Sequence, residues 1–186
     1  MSGMAANRYE PPQVRNGYEP LIVWAVASLM TLGVVGLILS APLAQAHGYP
    51  AFAATIYTAF HFVCHQIPER SFHLEGYQFA VCARCTGLYS GFTAATIFYP
   101  LARSLRRTDT PGRLWLFLAA APLAIDFSLG YFGIWANTHL SRLLTGALLG
   151  AVSVFYIMPG LVQLSASDWR HLLGKDEEQC KLKIEN

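Results

Sequence analysis

Between His61 and Cys85 the sequence reads HFVCHQIPERSFHLEGYQFAVCARC, and this stretch holds three of the chain's four cysteines, three of its six histidines and two carboxylates, Glu69 and Glu75. On a helix His61 would share a face with Cys64 at i+3 and with His65 at i+4, and Cys82 would share one with Cys85. Two such pairs joined by a short loop can converge on one ion. Zinc sites take four Cys or His ligands of this kind, often with a C-x2-C pair. Neighbours in sequence such as Cys64 and His65 rarely both reach the same ion. The expected ligand set is therefore Cys64, Cys82 and Cys85 with one of His61, His65 or His73, holding zinc or another soft divalent metal.

Two other readings of the same cysteines stay open. Free cysteines pack well in apolar surroundings and are often inert there. A C-x-x-C pair at a helix start beside Arg84 also has the environment that lowers a thiol pKa, which suits thiol redox chemistry. Four-helix membrane enzymes that pass electrons from thiols to quinone carry such a pair near the outer membrane face. They normally use a second cysteine pair, whereas here Cys64 stands alone and Cys180 is predicted on the other side of the membrane. A c-type haem is not expected, because Thr86 follows Cys85 where a histidine would be needed.

Charges inside apolar segments are the second chemical signal. Asp126 falls near the middle of one such segment, and Arg84 and Arg142 fall near the ends of two others. Intramembrane charges are costly, usually paired, and by default mark function. An ion pair of Asp126 with Arg84 or Arg142 is expected, serving either a site or a structural link between helices.

The elements that must position these groups are membrane helices. Charged residues make up 13% of the 186-residue chain and apolar ones 54%, against about 25% charged in a soluble domain. The run from about Leu21 to Leu43 carries no charge, and about 20 apolar residues cross the hydrocarbon layer as helix. Ala44-Gln45-Ala46 resembles a signal cleavage site, but signal h-regions are only about 7–15 residues long, which favours an uncleaved helix. Further spans are predicted at about 79–101, 114–135 and 140–162. The stretch 49–66 is apolar but short of a crossing, so it reads as re-entrant or interfacial. Residues 1–20 and 164–186 read as polar tails. The expected fold is an all-α integral membrane bundle of four transmembrane helices plus this short helix.

Arg103, Arg106, Arg107 and Arg113 crowd the loop after the second span, and both tails carry Lys or Arg, while the connections near 46–49 and 136–138 hold none. The positive-inside rule then puts both termini and the Arg-rich loop in the cytoplasm of a cell (inner) membrane protein. Gly87-x3-Gly91 and Gly146-x3-Gly150 are spaced to let helix backbones approach closely. The expected partners are the lipid bilayer and either other membrane subunits or a second copy of the chain, and not nucleic acid. Three roles remain: a metal-site membrane protein, structural or transport-related; a membrane thiol-disulfide oxidoreductase using Cys82 and Cys85; and an accessory subunit of a larger complex. No catalytic residue is assigned.

Cys64-His65-Gln66-x-Pro68-x-Arg70-Ser71 followed by Cys82-x-Arg84-Cys85-x-Gly87 resembles the signature of a family of small prokaryotic membrane proteins catalogued as a domain of unknown function. The later Pro122-Leu123-Ala124-Ile125-Asp126 and Arg142-Leu143-Leu144-Thr145-Gly146 are similar to that family's Pro-Leu-x-x-Asp and Arg-Leu-x-Thr-Gly motifs, and the resemblance covers roughly residues 55–155. It implies that Cys64, His65, Arg70, Cys82, Arg84, Cys85, Asp126 and Arg142 belong to a shared site. It implies no particular reaction.

Overall fold

A computed structural model describes residues 18–166. Among these residues five α-helices and a small antiparallel hairpin form: α1 (Glu19–Ala46), α2 (Pro50–His61), β1 (His73–Leu74), β2 (Tyr77–Gln78), α3 (Ala83–Ala102), α4 (Leu114–Tyr131) and α5 (His139–Ala166). Three helices, α1, α4 and α5, are long and apolar enough to cross a membrane. Their outer faces stay apolar and bare, as Leu29, Met30, Phe117, Ile125, Leu144 and Leu164 illustrate. In water that much exposed hydrocarbon would drive association. In lipid it is the solvent contact.

The helix bounds differ from the sequence expectation at informative places. α1 starts two residues earlier than Leu21, at Glu19, with Pro20 in its first turn, a position that suits proline, and it carries through Pro42 to Ala46. Gly48, at φ +83°, then reverses the chain into α2, which again opens on a proline, Pro50. At 12 residues α2 is about 18 Å long, too short to span. The second expected span began at Phe79. The structure instead keeps residues 79–82 non-helical behind the hairpin, bent at Ala80 and Val81, and the helix begins only at Ala83. α4 ends at Tyr131, not 135, because Gly133 takes a left-handed φ of +68°. The expected tails, 1–20 and 164–186, fall mostly outside the described residues, as does Cys180.

α3 and α5 form the centre of the bundle, and they run parallel. A Cβ built on Gly87 would lie 2.1 Å from the Leu143 carbonyl oxygen, and one on Gly91 would lie 2.3 Å from that of Ala147. Reciprocally, one on Gly146 would lie 2.2 Å from the Arg84 carbonyl oxygen and one on Gly150 2.2 Å from that of Leu88. The backbones therefore touch along a seam that only glycine permits. Tyr99, Val154 and Met158 pack below it as a buried cluster.

α1 runs antiparallel to α3: Trp24 Nε1 donates to the Thr96 carbonyl at 2.7 Å near one end, and Ile38 packs with Val81 near the other. The 103–113 loop folds under the far end of α5, where Tyr156 OH donates to the Gly112 carbonyl at 2.8 Å and Gln163 Nε2 to that of Thr108 at 3.0 Å. In this loop Arg103 pairs with Asp109 at 2.7 Å and holds its carboxyl below the usual carboxylate range. The hairpin, α2 and the N-terminal ends of α3 and α5 gather at the opposite end of the bundle, where the cysteines lie.

Candidate metal centre and arginine-lined cavity

Cys64 is delivered by the unwinding end of α2. Its N–H still reaches the Phe60 carbonyl at 3.0 Å, and two residues later Gln66 turns the chain at φ +51°. A left-handed φ is uncommon outside glycine, and here the side chain supplies the compensation. Gln66 Nε2 donates to the carbonyls of Tyr57 at 2.7 Å and Ala80 at 2.8 Å, tying the end of α2 to the segment that precedes α3. Tyr57 OH donates to the Gln78 carbonyl at 2.6 Å across the same gap. The hairpin closes on Glu75 and Gly76, both at positive φ, the backbone geometry of a tight two-residue turn. Its return strand brings Ala80 and Val81, fully buried, up to Cys82.

Cys82 is the extended residue before α3, and its N–H points at the Cys64 sulfur 3.2 Å away. Cys85 lies one turn into α3 on the same face. The three Sγ atoms lie within 4.8 Å of one another, and all three are free thiols. Cys64 is buried against Ile38 and Val81, while Cys82 and Cys85 are half-buried and packed beside Phe60 and Tyr89. These three sulfurs can hold a metal ion. A tetrahedral zinc at a Zn–S distance of about 2.3 Å sets its sulfurs about 3.8 Å apart, so the triad fits with small side-chain adjustments.

Of the other residues singled out in the sequence, His61 and His65 are exposed, and their rings lie outside this sulfur group. His73 is exposed on the hairpin. His65 nevertheless lines the cavity onto which the sulfurs open. That cavity has a volume of about 480 Å³, and its wall includes Cys64, Cys82, Cys85, His65, Arg70, Arg84 and Arg142 with Ile67, Phe127 and Tyr131. A smaller recess of about 50 Å³ continues it between Arg70, Arg84, Arg142, Gly130 and Asn137.

Arg84 Nη2 donates to Asp126 Oδ2 at 2.5 Å, and its guanidinium lies 5.6 Å from the centre of the Phe127 ring. Of the two arginines weighed against Asp126, it is Arg84 that makes the ion pair. Asn137 Nδ2 donates to the backbone carbonyl of Asp126. These contacts bind α4 to α3 and to the loop ahead of α5. Arg142 lines the cavity from the first turn of α5 and Arg70 from the short 3-10 turn Pro68–Arg70.

Gln66, Phe127, Tyr131 and Asn137 were not singled out as site residues from sequence. Gln66 stood inside the Cys-His-Gln motif, and that motif was the signal available for it. The two aromatics look like any lipid-facing residue until the fold is known.

Residues 64–156, half of the chain, match the family model described as "Predicted membrane protein (DUF2085)". The chain belongs to this family. Among relatives, an uncharacterized protein of Methanocaldococcus jannaschii is 36% identical over 104 residues, which cover 56% of this chain and 67% of that protein. An uncharacterized protein of Methanothermobacter thermautotrophicus is 36% identical over 92 residues, covering 49% of this chain and 80% of that one. No solved structure gives a significant match. Membership fixes the membrane setting, and the chemistry must come from the residues themselves.

Proposed function

We propose that this is a four-span membrane protein that holds zinc through Cys64, Cys82 and Cys85 near the outer membrane face, in a structural or transport-related role. The observation that carries the reading is the convergence of three sulfurs from two separate chain segments within 4.8 Å. α3 supplies the fourth crossing. It is less apolar than the others, with Arg84, Thr86, Ser90, Thr93 and Thr96, but its 20 residues reach about 30 Å, and Thr93 and Thr96 are buried inside the bundle. The basic 103–113 loop then lies in the cytoplasm and the cysteines lie outside. Thiolate-rich ligation favours a structural role over a hydrolytic one. The cavity leaves the fourth coordination position open to a water, to His65 after a rotation of its side chain, or to a transported ligand.

The test is elemental analysis of protein purified in detergent, combined with thiol counting. Near-stoichiometric zinc is expected, with three thiols resisting alkylation until a chelator is added. A metal-free protein with a Cys82–Cys85 disulfide that forms and breaks reversibly would replace this reading with thiol-disulfide exchange.

A further inference from the structure

The charge around the cavity does not balance, and the excess sits in one place. Three guanidinium groups, Arg70, Arg84 and Arg142, line both the main cavity and its recess. One carboxylate, Asp126, answers them, and it is engaged by Arg84. Among the described residues Arg70 and Arg142 make no side-chain hydrogen bond or ion pair. Glu69 and Glu75, the acids nearest in sequence, line neither space. A zinc ion bound by three thiolates would carry one net negative charge and would still leave the arginines in excess.

The fold produces this convergence. Arg84 and Arg142 each stand on the first turn of a helix, and those two helices run parallel along the glycine seam. Their guanidinium groups are thereby brought to the same end of the bundle. Arg84 Nε is buried and has no partner. Like charges assembled beside low-dielectric walls repel unless a counter-charge joins them.

We propose that the cavity binds an oxyanion between Arg70 and Arg142, with Arg84 as the fixed third side held by Asp126. Guanidinium groups match phosphate and carboxylate oxygens two at a time, which a lone ammonium cannot do. The apolar part of the wall, with Ile67, Phe127 and Tyr131, suits an apolar body attached to the anionic head. Pockets of a few hundred Å³ with an apolar lining and a few convergent polar groups take small organic ligands. Such a head reaches the site either as a free phosphate-like anion or as the headgroup of an anionic lipid at the membrane surface. The site stands on the arginines and does not require the metal.

The experiment uses the full chain in a neutral detergent, and two probes. Inorganic phosphate is titrated against the intact protein at constant ionic strength, with chloride as the control, and binding is read by calorimetry and by thermal shift. In parallel, the protein is reconstituted in nanodiscs of phosphatidylcholine with or without phosphatidylglycerol, and retained lipid is read by native mass spectrometry. Arg70→Gln and Arg142→Gln are compared with wild type, and zinc content is measured in every sample. Loss of one charged hydrogen-bonding partner should weaken binding on the order of tenfold, with Arg142→Lys recovering only part. Saturable phosphate binding that both glutamine variants weaken supports a free anion. Retention of phosphatidylglycerol that both variants lose, without phosphate binding, supports a headgroup. Absence of both, or binding that neither variant changes, overturns the proposal. Arg70 is exposed on a surface turn, so its variant remains informative if Arg142→Gln fails to fold. Zinc without anion binding would sink only this inference, and anion binding without zinc only the metal reading.

Discussion

Replacing Gly146 with alanine sets a methyl group 2.2 Å from the Arg84 carbonyl oxygen, where ordinary contact begins near 3.4 Å. Neither atom belongs to a flexible side chain, so α3 and α5 must part locally by about 1.2 Å, the kind of overpacking that costs about 1–3 kcal/mol. Alanine returns about 0.5–1 kcal/mol through its better helix propensity, leaving a net loss of up to about 2.5 kcal/mol. Gly33 and Gly36 on α1 are the controls, since a Cβ there meets nothing within 4 Å. At those two positions only the propensity gain remains, so the sign should reverse. Unfolding in mixed SDS and dodecylmaltoside micelles, followed by far-UV circular dichroism, reads the difference directly. Gly91→Ala, 2.3 Å from the Ala147 carbonyl oxygen, should repeat the Gly146 result. If Gly146→Ala and Gly91→Ala unfold as late as the α1 variants, the two helices do not pack backbone to backbone and the parallel seam is wrong.

Asp126→Asn should destabilise the protein by about 3–5 kcal/mol by leaving Arg84 uncompensated, and adding Arg84→Gln should recover part of that loss in a double-mutant cycle of detergent melts. Strictly additive losses would mean that the 2.5 Å pair contributes nothing. Gln66→Ala removes the donor shared by the Tyr57 and Ala80 carbonyls and should cost about 1–3 kcal/mol. The same variant should speed alkylation of Cys64, measurable by mass spectrometry, because the strap that sets its position is gone. Trp24→Phe should cost about 0.5–1.5 kcal/mol through the lost bond to Thr96, without changing thiol accessibility. Reporter fusions after Arg113 and near Ala136 should read cytoplasmic and external respectively, and the inverse pattern would reject the proposed orientation.

The sequence made the helical, membrane-embedded character plain because that character rests on sums over long segments, which tolerate local error. Cysteine spacing pointed to Cys64, Cys82 and Cys85 for a simple reason: the connection between them is short, and a C-x2-C pair shares a helix face. The glycine spacing foretold close backbone approach but not the partners. That α3 and α5 lie parallel in contact, with the antiparallel α4 set to one side, depends on tertiary packing that no single helix records. The start of α3 was misplaced by four residues because Phe79, Ala80 and Val81 are apolar for a different purpose. They fill the core beside Ala41 and Ile38 as non-helical chain. The end of α4 was overextended for a related reason: hydropathy does not register the left-handed Gly133, and backbone conformation ends helices as firmly as polarity does.

The glycine seam divides the cavity into a frame and two movable panels. Because α3 and α5 touch backbone to backbone, neither can rotate or slide without its carbonyls striking the other, so Cys82, Arg84, Cys85 and Arg142 keep constant spacing. Cys64, His65 and Arg70 hang from the chain between α2 and the hairpin, and Phe127 and Tyr131 hang from α4, whose surface is almost entirely bare. Any change in the shape of the cavity must therefore come from one of these two panels. Each is latched to the frame by polar contacts, among them the Cys82 N–H to the Cys64 sulfur on one side and Asp126 to Arg84 on the other. A metal shared by the cysteines would bolt the first latch and leave the second, an ion pair, as the one that can open.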